Sequence, residues 1–329
     1  MLRQAKTSEN GALLRQNGHP FVGREREMAT LRSCLDLTSS GQGQITLLAG
    51  DPGIGKTRTS KELAAIAIHN GAEVFWGYCS EGEGPPPYWP WIQIIRSHVD
   101  QSDAESLKTW MDSGAEAIGE IVPELRSKFP DLGTPPTFDP DSARFRLFDS
   151  ITTYLRNASA GKPMVLVLED LHWADVSSLA LLEHIAGAIA ASSIMIVGTY
   201  RDNEVSTSHP LSRSVSDLVR HEGFRSLELS GLSRGEVGEL VALSVGDDAP
   251  QGLAAQVHLR TEGNALFVGE LLKLLEADGL DEAQGWQFAI PQGIRGVVNR
   301  RFDRLSSCWL SAQMGQIVNR DFELISRAL

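Results

Sequence analysis

Positive charge is scarce in this chain of 329 residues, where 30 Lys and Arg stand against 42 Asp and Glu for a formal net charge of −12. That balance argues against a general nucleic-acid binder, because duplex affinity rests on clustered Lys and Arg neutralising phosphates. It leaves room only for a local basic patch. Cysteine is scarcer still. Cys34, Cys79 and Cys308 are far apart and odd in number, which excludes a disulfide-dense scaffold and offers neither a C-x-x-C pair nor zinc-ligand spacing. They read as inert thiols of a reducing compartment. The histidines are scattered, and no pair of them has metal spacing. Long apolar runs are also missing. The first twenty residues hold no apolar core of signal-peptide length. The longest uncharged stretch, residues 185–200, is too short for a membrane span and is broken by Ser192-Ser193. The expectation is a cytoplasmic protein with no membrane contact. Apolar residues overall are not lacking: 42% hydrophobic and 22% charged exclude disorder as the main state, and the length is a prior for about two domains.

Five short apolar runs alternate with helical patterns: ITLLA (45–49), EVFWGY (73–78), MVLVL (164–168), IMIVG (194–198) and SLELS (226–230). All but the last are nearly continuous in large apolar residues and read as strands buried on both faces. With helices expected over 57–69 and 177–190, the alternation predicts a parallel sheet covered by helices on both sides. The connection over 79–163 needs helices of its own, and 91–99, 104–121 and 143–155 supply them. Its opening aromatics, Tyr88, Trp89 and Trp91, read either as a partner surface or as packing beneath that connection. Packing is the better reading. After residue 230 the pattern is helical only. Ser233 and Glu236 form a capping box ahead of Val237, Leu240 and Val241. Asn264 caps a helix whose apolar residues Leu266, Phe267, Leu271, Leu274 and Leu275 share a face. A further helical stretch follows Pro291. The chain ends inside an amphipathic pattern of Phe322, Leu324, Ile325 and Ala328, from which a longer natural protein is expected. Residues 1–18 read as a flexible tail.

The chemistry is carried by Gly50-Asp51-Pro52-Gly53-Ile54-Gly55-Lys56-Thr57, placed directly after the first strand. This is the G-x-x-x-x-G-K-S/T phosphate-binding loop. Its glycines let successive backbone N–H groups turn toward phosphate oxygens, and the helix that follows adds the positive end of its dipole. Lys56 supplies mobile charge for the β- and γ-phosphates, and the Thr57 hydroxyl a magnesium ligand. A P-loop also needs carboxylates on a second strand. In VLVLEDLHWAD (165–175), Glu169 and Asp170 stand at the carboxyl end of a buried run, where ligands sit in open α/β sheets. One can serve the metal and the other position or deprotonate water; taken alone, the pair would be a solvated strand end. Asp175 reads as a helix N-cap. Arg201, at the end of IMIVGTYRD, either reaches a γ-phosphate or pairs with Asp202 or Glu204. Arg295, Arg300, Arg301 and Arg304 read as a solvated helix face in preference to a DNA contact.

In order and spacing these motifs resemble the AAA_16-type ATPase module of STAND proteins, the signal-transduction ATPases with numerous domains. The likeness runs from FVGRERE (21–27) through GDPGIGKTR (50–58), PYWPW (87–91), RFRLF (144–148), VLVLEDLHWAD and VGTYRD (197–202) to TEGNALFVGELL (261–272) and RRFDRLS (300–306). The resemblance implies a five-stranded parallel ASCE P-loop domain over 19–230, a helical lid over 231–285 and the start of a winged-helix domain over 286–329. It implies ATP or ADP with Mg2+ as cofactors, held by residues 50–57 and Arg58. Val22 and Gly23, with Arg24, would lie along the adenine and the domain junction. Thr57, Glu169 and Asp170 would serve the metal and water, and Arg201 would sense the γ-phosphate. The function implied is a slowly hydrolysing nucleotide switch, with nucleotide-dependent self-association, at the N-terminal end of a large LuxR-type transcriptional regulator. DNA contact would fall to a domain absent from this chain. A nucleotide-stabilised scaffold fused to a cyclase or kinase is the alternative, and an origin-recognition-type DNA-remodelling ATPase is less favoured. Two residues depart from the family pattern. Glu169 replaces the more usual Asp and carries its carboxylate one methylene further out, and Ala265 replaces the proline of Gly-Asn-Pro.

Overall fold

The computed structural model describes residues 20–82, 84–134, 139–246 and 249–278. The tail at 1–18, the last residues of the lid, the winged-helix segment at 286–329, Cys308 and the four arginines from Arg295 onward lie outside the described residues. Contacts divide the chain into two compact units, Arg24–Ser230 and a second that joins the residues up to Gly23 with those from Gly231 onward.

The first unit runs α1 (Glu25–Ser39), β1 (Gln44–Ala49), α2 (Lys56–His69), β2 (Glu73–Tyr78), α3 (Trp89–Gln101), α4 (Ala104–Met111), α5 (Ala115–Ile121), α6 (Leu125–Lys128), α7 (Pro140–Ser159), β3 (Met164–Glu169), α8 (Val176–Ala188), β4 (Ile194–Tyr200), α9 (Pro210–Leu218) and β5 (Phe224–Glu228). The five strands form one parallel sheet in the order β2-β3-β4-β1-β5. The alternating pattern predicts such a parallel sheet, and the resemblance implies the α/β P-loop arrangement that it forms. The three central strands are buried from end to end apart from half-buried Tyr200, which is why their sequences show no alternation.

EVFWGY was expected to be buried on both faces and is not. It forms an edge strand in which only Phe75 and Gly77 are buried, because a strand with one neighbour leaves part of its surface to solvent. The last strand is also displaced, spanning 224–228 in place of 226–230. Its pairing with β1 sets Phe224 opposite Ile45 and Glu228 opposite Ala49.

The helix expected over 104–121 is broken. A 3-10 turn at Asp112–Gly114 separates α4 from α5, with Asp112 at φ 45°. A Cβ on Gly114 would stand 2.8 Å from the Ser150 side chain on α7, so the backbone lies close against α7 where the helix breaks. Helix α7 itself starts earlier than apolar spacing suggested. Asp139 accepts a hydrogen bond from Ser142 N at 3.1 Å with Pro140 in the first turn, a cap and a proline that both favour helix initiation. The aromatics of the connection are packing residues. Trp91 is fully buried and donates its indole N–H to Ser178 O at 3.0 Å, while Tyr88 and Trp89 rest half-buried on the same core. Asp175 caps α8 through Ser178 N at 2.9 Å, as expected.

The second unit holds α10 (Arg234–Val245), α11 (Leu253–Thr261) and α12 (Ala265–Asp278). Both halves of the Ser233–Glu236 capping box are formed, and the Asn264 side-chain oxygen Oδ1 accepts from Leu266 N and Phe267 N at 3.2 and 3.4 Å. The buried face of α12 differs from the one expected. It consists of Val268, Leu271, Leu272 and Leu275, while Leu266 is exposed and Phe267 half-buried. Those four positions follow the i, i+3, i+4, i+7 rule, so the stripe is rotated by about one residue.

One buried polar cluster ties β2 to the long connection. His98 on α3 shares a 2.6 Å hydrogen bond between Nδ1 and the Tyr154 hydroxyl, stacks on Trp110 at 5.1 Å, and lies 3.8 Å from the Glu73 carboxylate. Burial holds the His98 pKa below the ordinary 6.5, and the Glu73 charge only partly offsets it. With the folded pKa depressed, the unfolded chain binds the proton more readily. Stability from this group is therefore complete above pH 6.5 and is lost as pH falls below it. Urea unfolding at pH 7.5 and pH 5.5 should show the wild type losing stability toward acid, with a limiting slope of about 1.4 kcal/mol per pH unit for each such histidine. The His98→Gln protein should show a visibly shallower loss. Equal slopes would mean that His98 is not a source of the acid sensitivity.

Candidate functional site

The parallel sheet places the carboxyl ends of β1, β3 and β4 side by side, and three of the expected motifs emerge there. The loop after β1 turns on Gly50, Gly53 and Gly55, at φ 144°, 78° and 111°. Gly50 is required twice over, since a Cβ there would stand 2.6 Å from the Leu229 carbonyl oxygen. Lys56 begins α2 and is buried. Its ammonium donates to Gly50 O at 2.7 Å and Asp51 O at 3.0 Å, which holds it against the loop. Burial, then the positive charge of Arg201, keeps its pKa below the ordinary lysine range, while Asp170, Asp202 and Glu169 push the other way. Asn203, which no motif singled out, donates from its amide to Asp51 Oδ1 at 3.0 Å and ties the turn after β4 to the P-loop. Arg58 forms an ion pair with Glu62 at 2.7 Å.

Glu169 closes β3 and is only 3% exposed. One of its oxygens, Oε2, accepts from the Thr57 hydroxyl at 2.7 Å and from the Thr199 hydroxyl at 3.1 Å. The P-loop threonine at the start of α2, the β3 carboxylate and a β4 hydroxyl thus form one chain. Thr199 also accepts from the backbone Asp170 N at 3.0 Å, so it holds the Glu169 carboxylate and the Asp170 main chain together. Sequence reasoning quoted Thr199 without giving it this role, because the register of β3 against β4 is what brings it there. Burial raises the Glu169 pKa, the hydrogen bonds from Thr57 and Thr199 pull it down, and neighbouring Asp170 pushes it up again. Its second oxygen, Oε1, is buried with no formed hydrogen bond among the described residues.

Asp170 is half-buried in the left-handed region at φ 60°, a conformation that costs a non-glycine residue about 1–2 kcal/mol. Burial raises its pKa, and the charges of Arg201 and Lys56 draw it back. Arg201 adopts the salt-bridge alternative in this structure. Its guanidinium meets Glu204 at 2.7 Å and lies over the Trp173 ring at 4.8 Å, yet it still acts electrostatically on Lys56 and Asp170. His172, also missed from sequence, sits between the two acids. Its Nδ1 is 4.0 Å from Asp170 Oδ1 and its Nε2 3.6 Å from Glu204 Oε2. Burial pushes its pKa down to about 4. Cys79, beside the same edge, is buried and driven up to about 12, first by burial and then by Asp175, Asp170 and Glu169. It is inert as a nucleophile.

The donor set fits magnesium bound together with a nucleotide. Among the described residues no group of three or more His, Cys, Asp or Glu is placed to hold a metal alone. A hydroxyl, one or two carboxylates and phosphate oxygens are what Mg2+ ordinarily uses. The unpartnered Glu169 Oε1 is an acceptor suited to that shell, directly or through water. Of the other expected residues, Val22 is buried in the core of the second unit with Leu232, Val237 and Leu240, and Gly23 belongs to that unit at φ 73°. Arg24 is buried in the first unit and donates to Ile54 O and Ser230 O.

An uncharacterized protein of Rhizobium meliloti (strain 1021) is 26% identical over 197 residues, 57% of this chain and 19% of that protein. The chain therefore spans about a fifth of the curated relative's length. Among solved structures, a Walker-type ATPase of Pyrococcus abyssi matches with a TM-score of 0.52 and 13% identity over 87% of this chain and 76% of that one, which shows a shared fold. A STAND protein with a tetratricopeptide repeat sensor, from Pyrococcus horikoshii, is similar at a TM-score of 0.45 and 17% identity over 82% of this chain and 32% of its own. No helix among the described residues is long and apolar enough to cross a membrane. The AAA ATPase domain family, AAA_16, matches residues 20–197, more than half of the sequence and the span that holds the P-loop, Glu169 and Asp170; the chain belongs to that family.

Proposed function

We propose that this P-loop ATPase module is an ATP/ADP switch with slow, Mg-dependent hydrolysis. The observation that carries the reading is the hydroxyl–carboxylate chain Thr57–Glu169–Thr199, which ties the phosphate loop to the two strands that would register a γ-phosphate. In this reading backbone N–H groups of residues 50–55 and the Lys56 ammonium bind the phosphates, with Lys56 leaving its loop carbonyls for them. Bound Mg2+ would offset phosphate charge, with Thr57 and Glu169 as its protein ligands and Asp170 as a further one or as the group that orients water. The Asp170 backbone is held by the Thr199 hydroxyl, and its carboxylate can take a proton from an attacking water, its pKa having been moved upward by burial. Arg201 exchanges Glu204 for the γ-phosphate, so sensing competes with an existing ion pair. That competition, with Glu169 in place of the usual Asp, favours slow turnover. Slow turnover suits a switch whose bound state must outlast its signal.

The wider assignment rests on the family resemblance. Residues 231–285 would serve as a helical lid and 286–329 as the start of a winged-helix domain. The whole would be the N-terminal part of a cytoplasmic LuxR-type transcriptional regulator that self-associates in the ATP state, with DNA contact left to another domain.

Protein purified without added nucleotide should release stoichiometric ADP or ATP on denaturation, identified by chromatography. Lys56→Ala should lose that nucleotide, with affinity for Mg-ATP falling by about a hundredfold or more, or roughly 2.7 kcal/mol. A wild-type protein that neither carries nucleotide nor binds added Mg-ATP would remove the switch reading and favour a scaffold. Asp170→Asn should lower single-turnover hydrolysis about 100-fold or more while ATP affinity changes by only a few-fold. Unchanged turnover would take Asp170 out of the water-activating role.

A further inference from the structure

The switch reading leaves open how phosphate occupancy is felt by the chain outside the sheet unit. Three observations converge on one side chain. Arg24 and Ser230 are the first and last residues of that unit, so the chain crosses to the second unit immediately before one and immediately after the other. The Arg24 guanidinium is buried, and its Nη2 donates both to Ser230 O at 2.5 Å and to Ile54 O at 3.0 Å inside the P-loop. The segment that ends at Ser230 also lies on the loop: Leu229 N donates to Ala49 O at 2.9 Å, and its carbonyl leaves Gly50 no room for a Cβ.

We infer that Arg24 is a positioning residue that couples the conformation of the P-loop to the two chain crossings at the edge of the sheet unit; the inference rests on the switch reading and supplies its mechanical link. In a planar trans peptide the C=O and the following N–H point in opposite directions. Holding the Ile54 carbonyl toward Arg24 therefore aims the Gly55 N–H away from it. Ile54 lies between Gly53 and Gly55, both at positive φ, so the backbone on either side of it has the rotational freedom of glycine. Any rotation of the 54–55 peptide moves an acceptor that shares one nitrogen with Ser230 O. A planar guanidinium spreads several N–H donors in a fixed fork, whereas a lysine ammonium is a compact point on a flexible stem. The residue is also fixed from its backbone side. Arg24 sits at φ 69° and its carbonyl accepts from Met28 N at 2.8 Å in the first turn of α1. A third contact, Nη1 to Glu27 at 3.3 Å, steadies the guanidinium without joining the loop to the crossing.

The test is amide hydrogen exchange of the full chain over residues 229–233, comparing Mg-ADP with a slowly hydrolysed Mg-ATP analogue. Each protein is held at a large excess over its own measured Kd. The wild type should show a difference between the two nucleotide states of about threefold or more in exchange rate. Arg24→Lys and Arg24→Gln should bind both nucleotides and lose most of that difference, while Glu27→Gln keeps it. General loosening speeds exchange in both states and does not remove their difference. A full difference in either Arg24 variant overturns the coupling and leaves the switch intact. Failure of both folded Arg24 variants to bind nucleotide also overturns it, since the guanidinium would then serve the loop alone. A wild type that binds both nucleotides with no difference at 229–233 removes the link, and the switch reading falls separately if no other segment responds.

Discussion

The site depends on one carboxylate taken out of water. Glu169 is buried at the end of a central strand with two hydroxyls on one oxygen and no formed hydrogen bond on the other. A buried acceptor left unsatisfied costs about 1–3 kcal/mol, and the surrounding structure carries that cost. Thr57 comes from the phosphate loop and Thr199 from the next strand, so the carboxylate can hold both only while β1, β3 and β4 stay in register. The integrity of the sheet and the alignment of the site are thus the same constraint.

Charge around that carboxylate is balanced with little slack. Burial and the positive charge of Arg201 lower the Lys56 pKa, while Asp170, Asp202 and Glu169 favour the Lys56 cation. Glu204 claims Arg201, and Trp173 covers it. Every one of these groups comes from the carboxyl edge of the sheet. An added phosphate would compete for the cations and leave carboxylates in need of a counter-charge, which is the electrostatic case for a divalent ion accompanying the nucleotide.

Much of this could be read without coordinates. The glycines, Lys56 and Thr57 form a contiguous motif whose chemistry is local, and buried parallel strands announce themselves by unbroken apolar runs. Caps were equally legible, because Asp175, Ser233 and Asn264 act on backbone within three residues. Legibility failed where a neighbour in space made the decision. Edge exposure of β2 follows from having one strand beside it, not from its own composition. The break at Asp112–Gly114 falls where Gly114 lies close against Ser150, a residue distant in sequence. Leu266 and Val268 are both apolar, so the exact buried stripe of α12 depended on how the other helices met it.

For the site, the sequence by itself determined which chemistry is present: a phosphate loop, an acidic pair at a strand end, and an arginine one strand over. Tertiary structure decided how those groups are connected. Thr199 became the residue that joins the Glu169 carboxylate to the Asp170 backbone, Asn203 and His172 entered the cluster, and Arg201 was placed against Glu204 with its charge still directed at Lys56. Arg24 was given a hold on Ile54 and Ser230, residues 30 and 206 positions away. Contacts of that span are set by strand order and register, which no local pattern encodes, whereas the motif residues act through backbone geometry that a few adjacent amino acids fix.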